Sequence, residues 1–247
     1  ILFLFIFLIY FLKLYKIMKI FENTRIVAIT LLLISIMVYS FTINRYVTFT
    51  DNGELASASI LLGISHPTGY PLFTLLGYFW SLIPIPFSKI VQMNLLSALY
   101  VSLSSIFLFL TIKVLLEKFY YTIKIDKKNK SKKTSNNIEI YHLNLPLTTV
   151  NFVAFVSSLT YIFAITIWQQ ANFYEVYSLQ LLLFSIFLFL STKIYYKSDN
   201  KVNIYWYSIA FVWGLMLTNH LIAIWLAPAL FWLYFLSQTP GVHTLRW

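Results

Sequence analysis

The chain has 247 residues and a formal net charge of +10 at pH 7, with 60% hydrophobic and only 11% charged residues. Soluble globular domains carry roughly 25% charged residues, and disordered chains lack the aromatic content found here, 23 Phe, 18 Tyr and 7 Trp. The composition therefore excludes both classes and predicts an all-α, polytopic membrane protein embedded in the lipid bilayer.

The chain opens with an apolar run at residues 1–12, which is too short to cross a hydrocarbon core of about 30 Å. We interpret this run as a truncated span. A signal peptide carries its positive charge before the apolar core, whereas Lys13, Lys16 and Lys19 follow the run. Residues 1–25 are therefore predicted to be a truncated apolar segment followed by a basic cytoplasmic linker.

Apolar stretches of about twenty residues predict the transmembrane helices. Four such stretches are clear, at residues 26–44, 91–112, 148–168 and 176–192. A last stretch, 204–236, is too long for one crossing, so we expect a break near Asn219 and His220 into two short spans. The prediction is a domain of about six transmembrane helices over residues 26–236, with a tail at 237–247.

The lysines and arginines predict the orientation, because cytoplasmic loops carry them in excess. They are concentrated before the first full span, in the loop 113–147 and after the fourth span, whereas the outer loops contain only Arg45 and Lys89. This distribution explains the positive charge by membrane topology, so we predict no nucleic-acid partner. The apolar segment 72–87 is too short to cross and is predicted to lie in the outer interface, within a long outer loop at 45–89.

Three acidic residues, Asp51, Glu54 and Glu175, fall in the predicted outer loops. Carboxylates at membrane depth are costly and are often functional. Asp51 and Glu54 are three residues apart, which places both on one face of a helix. The same spacing is typical of a capping box, in which Asp51 caps the helix, and the sequence leaves both interpretations open.

Further polar residues on the outer side are candidates for substrate binding. His66 and Tyr70 flank a turn rich in Pro and Gly, where His66 either donates to a phosphate or makes local hydrogen bonds. Asn219 and His220 interrupt an apolar stretch and either join the site or hydrogen-bond between helices. A carboxylate base with histidine donors suggests transfer from a lipid-anchored donor. Cysteine is absent from the sequence, and we predict neither a metal nor a cofactor.

Several short motifs in order along the chain resemble the transmembrane protein 260-like family. The first three are DNGEL at 51–55, LGISHPTGYPLF at 62–73 and NLLSAL at 94–99. The match continues through Trp168, Glu175-Val176-Tyr177 with Leu179, and Gly214-Leu215 with Thr218-Asn219-His220. That family is similar to the C-type membrane glycosyltransferases, which include protein O-mannosyltransferases.

The resemblance implies a donor, an acceptor and a set of residue roles. The donor is a sugar such as mannose on polyprenyl or dolichyl phosphate, and the acceptor is a hydroxyl group, expected to be a Ser or Thr of a protein. In such enzymes an acidic residue of the first outer loop is the base of an inverting transfer, and Asp51 matches that position. Glu54 would then orient the acceptor or shape the pocket, Glu175 would hold sugar or acceptor, and His66 and His220 would donate to the phosphate.

The resemblance also implies a location: an integral membrane enzyme of the bacterial inner membrane or endoplasmic reticulum, with its site on the non-cytoplasmic side. Two other functions remain open. One is a transporter or flippase with Glu175 and His220 along its path, although few polar residues lie in the span 176–192. The other is a non-catalytic scaffold whose outer carboxylates only cap helices.

Overall fold

The computed structural model describes residues 19–48, 51–118, 120–122, 140–142, 145–196 and 202–238. The predicted truncated span at 1–12 lies outside these residues, as do most of the basic loop and the end of the tail. The helices are α1 (Thr24–Thr42), α2 (Asn52–Leu61), α3 (Pro71–Ser81), α4 (Lys89–Glu117), α5 (Leu147–Ile162), α6 (Ile165–Asn172), α7 (Val176–Tyr196), α8 (Val202–Asn219), a 3-10 helix (Leu221–Leu226) and α9 (Ala227–Gln238).

The prediction of an all-α membrane protein is confirmed. In the described residues α1, α4 and α7 are each long and apolar enough to cross a membrane, and α5 with α6 makes a fourth crossing if the two are counted together. The one addition is a short antiparallel ladder in the predicted cytoplasmic loop, between β1 (Tyr120–Thr122) and β2 (Ile140–His142).

The predicted count of six spans is not confirmed, because the described helices support three or four. The last apolar stretch does break at the expected place, where the His220 side chain accepts a hydrogen bond from the Ile222 backbone N–H at 3.1 Å. Neither part qualifies as a full span. Tyr and Trp residues lower the apolar content of α8, and the break shortens the helix that follows.

The predicted third span, 148–168, is not one straight helix. It divides into α5 and α6, which meet at a bend of 67° next to Phe163. The carbonyl of Ile162 accepts a hydrogen bond of 2.8 Å from the buried Tyr39 hydroxyl of α1. This contact gives the carbonyl at the bend a hydrogen-bond partner. A buried carbonyl without a partner in an apolar environment would destabilise the fold.

Helix α4 lies at the centre of the bundle and packs against α1, α5, α6 and α7. Its buried face alternates apolar residues with serines, and small side chains let neighbouring helices approach closely in a membrane protein. Ser178 of α7 donates a hydrogen bond to Ser97 of α4 at 3.0 Å. The N-terminal part of α4 is thereby held against the start of α7, where Glu175 lies.

Two short helices, α2 and α3, lie in the segment 45–89, which the sequence predicts to be a long outer loop. Between them, Gly69 has a φ of 83°, a left-handed conformation that favours glycine. Pro71 then occupies the first turn of α3, where its missing N–H costs no helical hydrogen bond. The turn brings the loop after α2 back toward the beginning of that helix.

The packing of α2 on α3 depends on a glycine. A Cβ added at Gly77 would overlap the Tyr174 hydroxyl and lie 2.8 Å from the Ser59 hydroxyl. Tyr174 is fully buried, and its hydroxyl is 3.0 Å from that of Ser59, so it has little freedom to move. We expect Gly77→Ala to lower the free energy of unfolding by about 1 to 3 kcal/mol, the usual cost of overpacking a core.

Thermal unfolding of the purified protein in detergent would measure this loss. Gly214→Ala is the matched control, because a Cβ added there meets no described atom within 4 Å apart from its chain neighbours and the backbone of its own helix. Gly214 lies inside α8, where alanine favours the helix by roughly 1 kcal/mol, so this variant should be neutral or more stable. Equal melting temperatures for the two variants would contradict the packing argument.

Candidate active site

Asp51, Glu54 and His66 meet at the beginning of α2. Asp51 directly precedes the helix, Glu54 lies in its first turn, and His66 comes from the loop that follows it. One ligand atom from each of the three lies within 4.8 Å of the others. The structure therefore brings together three of the residues that the sequence nominates for the site.

Glu54 is held by His66 and not by the helix end. The His66 backbone N–H donates to Glu54 Oε1 at 2.6 Å, and the ring Nδ1 is 3.2 Å from both carboxylate oxygens. The hydrogen bond from the His66 backbone N–H, followed by that from the ring, lowers the pKa of Glu54 below its ordinary value. Glu54 is therefore an anion that fixes both the position and the orientation of His66.

The capping-box interpretation of Asp51 and Glu54 is wrong. Asp51 makes no side-chain hydrogen bond to the helix end, and its own backbone is already helical, with φ −65° and ψ −3°. Its side chain is 62% exposed, and its Oδ2 lies 3.9 Å from His66 Nε2. Because its side chain is exposed, Asp51 is accessible to a substrate, and the imidazole of His66 lies beside it.

Tyr70 completes the hydrogen bonds of the imidazole. Its hydroxyl is 2.9 Å from His66 Nε2. Since His66 Nδ1 faces two carboxylate oxygens, we assign the proton to Nδ1, and Nε2 then accepts from Tyr70. Burial, and after it the nearby charges that include Asp51 and Glu175, raise the pKa of Tyr70, so its hydroxyl stays protonated and remains a donor.

Ring contacts connect Tyr70 to the break after α8. The His220 ring lies 5.7 Å from that of Tyr70 and 5.3 Å from that of Tyr177, centroid to centroid. Burial lowers the pKa of His220, which favours the neutral imidazole. Because its Nδ1 accepts from a backbone N–H, the neutral ring carries its proton on Nε2 and can donate one hydrogen bond.

Glu175 and Asn219 take different positions. Glu175 immediately precedes α7, and its charge contributes to the raised pKa of Tyr70, which places it in the electrostatic field of the site. Asn219 is 1% exposed and donates to the Val176 carbonyl at 3.1 Å and to Gln180 Oε1 at 2.8 Å. These bonds favour the helix-bridging interpretation of Asn219 over direct substrate binding.

Sequence reasoning missed Asn94, a fully buried residue of α4. Its Oδ1 accepts from Asn52 Nδ2 at 2.9 Å and from the Tyr174 backbone N–H at 2.8 Å, and its Nδ2 donates to the Asn44 carbonyl at 2.8 Å. Asn94 thus joins the segments that carry Asp51 and Glu175 to the end of α1. An amide within a long, largely apolar helix was the available signal.

Two carboxylates and one imidazole are also suitable ligands for a divalent cation. The three residues that offer them are Asp51, Glu54 and His66. The absence of a metal and of a cofactor stays a prediction from the sequence. Chemically, the site offers an exposed carboxylate that can act as a base, an imidazole oriented by a second carboxylate, and one available hydrogen-bond donor at His220 Nε2.

Comparisons with known proteins bear on the family to which the chain belongs. A family model described as the protein O-mannosyl-transferase TMEM260 N-terminal domain matches residues 51–242. The chain is 28% identical over 242 residues to protein O-mannosyl-transferase tmem260 of Dictyostelium discoideum, covering 92% of this chain and 26% of that protein. It is 38% identical over 76 residues to protein O-mannosyl-transferase TMEM260 of Mus musculus, covering 30% of this chain and 11% of that protein.

The chain therefore spans about a quarter or less of the length of these curated relatives. No solved structure matches it. The family model covers most of the chain and begins at Asp51, the first residue of the carboxylate–histidine cluster. The chain belongs to the TMEM260 N-terminal domain family.

Proposed function

We propose that this protein is a membrane glycosyltransferase that moves a sugar, mannose by analogy with its named relatives, from a polyprenyl- or dolichyl-phosphate donor to a protein hydroxyl. The observation that carries the proposal is the meeting of Asp51, Glu54 and His66 at one exposed point of the outer loop. The names of two relatives, both protein O-mannosyl-transferases, support the sugar and the acceptor class.

In the proposed reaction Asp51 is the general base. Its carboxylate takes the proton of a Ser or Thr hydroxyl while the hydroxyl oxygen attacks the anomeric carbon of the sugar. The bond from that carbon to the phosphate oxygen breaks, and the configuration inverts because attack and departure occur on opposite faces. The lipid phosphate leaves with the electron pair of the broken bond.

His220, which has its Nε2 proton available, would stabilise the charge that develops on the departing phosphate. Both ring nitrogens of His66 are bonded, to Glu54 and to Tyr70, so His66 would donate to the phosphate only once Tyr70 releases Nε2 and that nitrogen gains a proton. Of the two roles that the resemblance implies for Glu54, its bonds to His66 favour shaping the pocket, by positioning His66, over orienting the acceptor. Tyr70 holds the other nitrogen of His66, and Glu175 remains assigned to sugar or acceptor.

Observations on the described residues favour this function over the two alternatives. The scaffold alternative assigns the outer carboxylates to helix capping, and Asp51 makes no such bond. The transporter alternative needs polar groups along a path through the helices. Few polar residues lie in the span 176–192, and one of them, Gln180 of α7, bonds to Asn219 of α8 at 2.8 Å.

A transfer assay tests the proposal directly. The full-length protein, reconstituted in liposomes, would be given a Ser/Thr-containing acceptor peptide with either dolichyl-phosphate mannose or GDP-mannose. We expect mannosyl peptide only with the lipid-linked donor, with inversion at the anomeric carbon. Transfer from GDP-mannose, or movement of lipid across the bilayer without any transfer, would contradict the proposal. Parallel reactions with EDTA would test the predicted absence of a metal.

A further inference from the structure

A groove of about 570 Å³ lies between the end of α1 and the end of α6. One wall consists of residues 42–46 and the other of residues 168–169 and 172–173, and we call it the Arg45 groove. Its lining combines aromatic rings, those of Tyr46, Trp168 and Phe173, with the exposed polar side chains of Arg45 and Gln169. Aromatic residues and arginine are the residue types that are enriched where proteins bind other polypeptides.

Arg45 is available to bind an anion. Within the part of the chain that the structure describes, its guanidinium takes part in no ion pair and no hydrogen bond. The segment 45–89 contains one other cation, Lys89, whose ammonium group already donates to the Ser81 carbonyl at 2.6 Å and to Gln92 Oε1 at 3.1 Å. A guanidinium can bind a carboxylate through two parallel hydrogen bonds. The groove therefore suits a ligand that carries a carboxylate.

The Arg45 groove adjoins the beginning of α2. The side-chain amide of Asn94 donates to the Asn44 carbonyl, which belongs to the groove, and accepts from Asn52 Nδ2. The two atoms bonded to this amide are no more than about 8 Å apart, the length of two hydrogen bonds and the amide between them. Asn52 directly follows Asp51. A ligand in the groove would therefore lie beside the carboxylate that we assign as the base.

We propose that the Arg45 groove binds the acceptor polypeptide and selects an Asp or Glu near the acceptor Ser or Thr. This inference rests on the proposed function, since it assigns the acceptor of the same reaction. An extended peptide covers about 3.4 Å per residue, so a carboxylate on Arg45 would belong to a residue roughly two to four positions from the hydroxyl at Asp51. An anionic lipid head group would also pair with an arginine, but it would gain nothing from a position beside the base.

Electrostatics would also decide which hydroxyl is presented to Asp51. The candidate active site contributes three carboxylates, those of Asp51, Glu54 and Glu175. An acidic residue of the acceptor would be repelled by these side chains and attracted by Arg45, which fixes the register of the peptide. The preference is therefore directional. An acidic residue on one side of the acceptor hydroxyl should strengthen binding, and the same residue on the other side should not.

Peptide binding tests the Arg45 groove without requiring sugar transfer. Fluorescein-labelled peptides with a single Thr would carry one Asp three positions before or three positions after it, and would be titrated with the full-length protein in detergent. We expect one placement to bind about tenfold more tightly than the matching Asn peptide, the scale of a hydrogen-bonded charge pair. Equal affinities of the Asp and Asn peptides, or an equal gain from both placements, would overturn the proposal.

Substitutions of Arg45 test which group is responsible. Arg45→Gln should remove the gain, and Arg45→Glu should move the preference from Asp to Lys at that position. Both variants should keep the wild-type melting temperature, because Arg45 is exposed. The matched control is Arg25→Gln, which changes an exposed arginine at the other end of α1 and should retain the preference for Asp. An undiminished preference for Asp in a folded Arg45→Gln protein would overturn the proposal.

An anionic lipid is the competing occupant of the Arg45 groove. We expect short-chain dihexanoyl phosphatidylserine not to displace the bound Asp peptide. Displacement as effective as that by unlabelled Asp peptide would assign the groove to a lipid head group and overturn the proposal.

The two proposals fail in distinguishable ways. A preference for Asp in binding without any mannosyl transfer would support the peptide groove and contradict the proposed enzyme. Transfer from the lipid-linked donor with equal kcat/KM for the Asp and Asn peptides would support the enzyme and overturn the peptide groove. Where both proposals hold, Arg45→Gln should raise KM for the Asp peptide and leave kcat near its wild-type value.

Discussion

Replacing Asp51 with asparagine should lower the rate of sugar transfer by about 10²- to 10⁴-fold, the range attributed to a general base. An amide has nearly the shape of a carboxylate but cannot take a proton from the attacking hydroxyl. The side chain of Asp51 is 62% exposed and does not cap α2, so the substitution removes little that holds the fold together. We therefore expect the melting temperature to stay close to that of the wild type.

The control for this substitution is Glu117→Gln, which also removes one carboxylate. Glu117 pairs with Lys113 at the other end of α4, far from the outer loop. Its exposed ion pair contributes little to stability, so both transfer and melting temperature should be unchanged. Transfer at the normal rate by a folded Asp51→Asn protein would show that another group is the base, with His66 the next to test.

Local signals predicted the parts of the fold that depend on nearby residues. The break at His220 was predictable because an amide and an imidazole interrupt an apolar run, and the ring caps a backbone N–H two residues ahead. The short helices of the outer loop follow from the prolines and from Gly69. The spacing of Asp51 and Glu54 correctly placed both carboxylates at the beginning of α2.

The features that the sequence did not predict depend on contacts between residues that are distant in the chain. Glu54 bonds to His66, which is twelve positions away, and this contact replaces the local capping box that the spacing suggested. The contact between Tyr39 and Ile162 near the bend joins residues 123 positions apart. Asn94 bonds to Asn44, Asn52 and Tyr174, which lie in three separate segments of the chain. Its role in joining these segments follows only from their positions in the folded structure.

After Asp51→Asn, the substitution Asn94→Leu should have the largest effect. It should lower both the free energy of unfolding and the rate of sugar transfer. Leucine fills a similar volume but leaves the Tyr174 backbone N–H, Asn52 Nδ2 and the Asn44 carbonyl without their present partner. Each buried polar group left unpaired costs roughly 1 to 3 kcal/mol, so we expect a loss of at least about 3 kcal/mol. The segments that carry Asp51 and Glu175 would also lose their common anchor.

A stability loss by itself would not separate a positioning role from a structural one, and the chain offers a matched control. Asn151 of α5 is also fully buried, and its Nδ2 donates to the Phe21 carbonyl at 2.8 Å. It contacts Thr24 at the start of α1, whereas Asn94 contacts Asn44, just beyond the end of that 19-residue helix. A helix of this length is about 28 Å long, so the two amides lie at opposite ends of the bundle.

Asn151→Leu should therefore lower the melting temperature about as much as Asn94→Leu while leaving kcat and KM near their wild-type values. Asn94→Leu should also lower kcat about tenfold or more at a temperature where both variants are folded, since misplacing a reacting group by about 1 Å can cost 10²-fold in rate. An equal loss of kcat in the two variants would mean that Asn94 supports the fold alone. A loss confined to Asn94→Leu would identify its amide as the group that holds Asp51 and Glu175 in register.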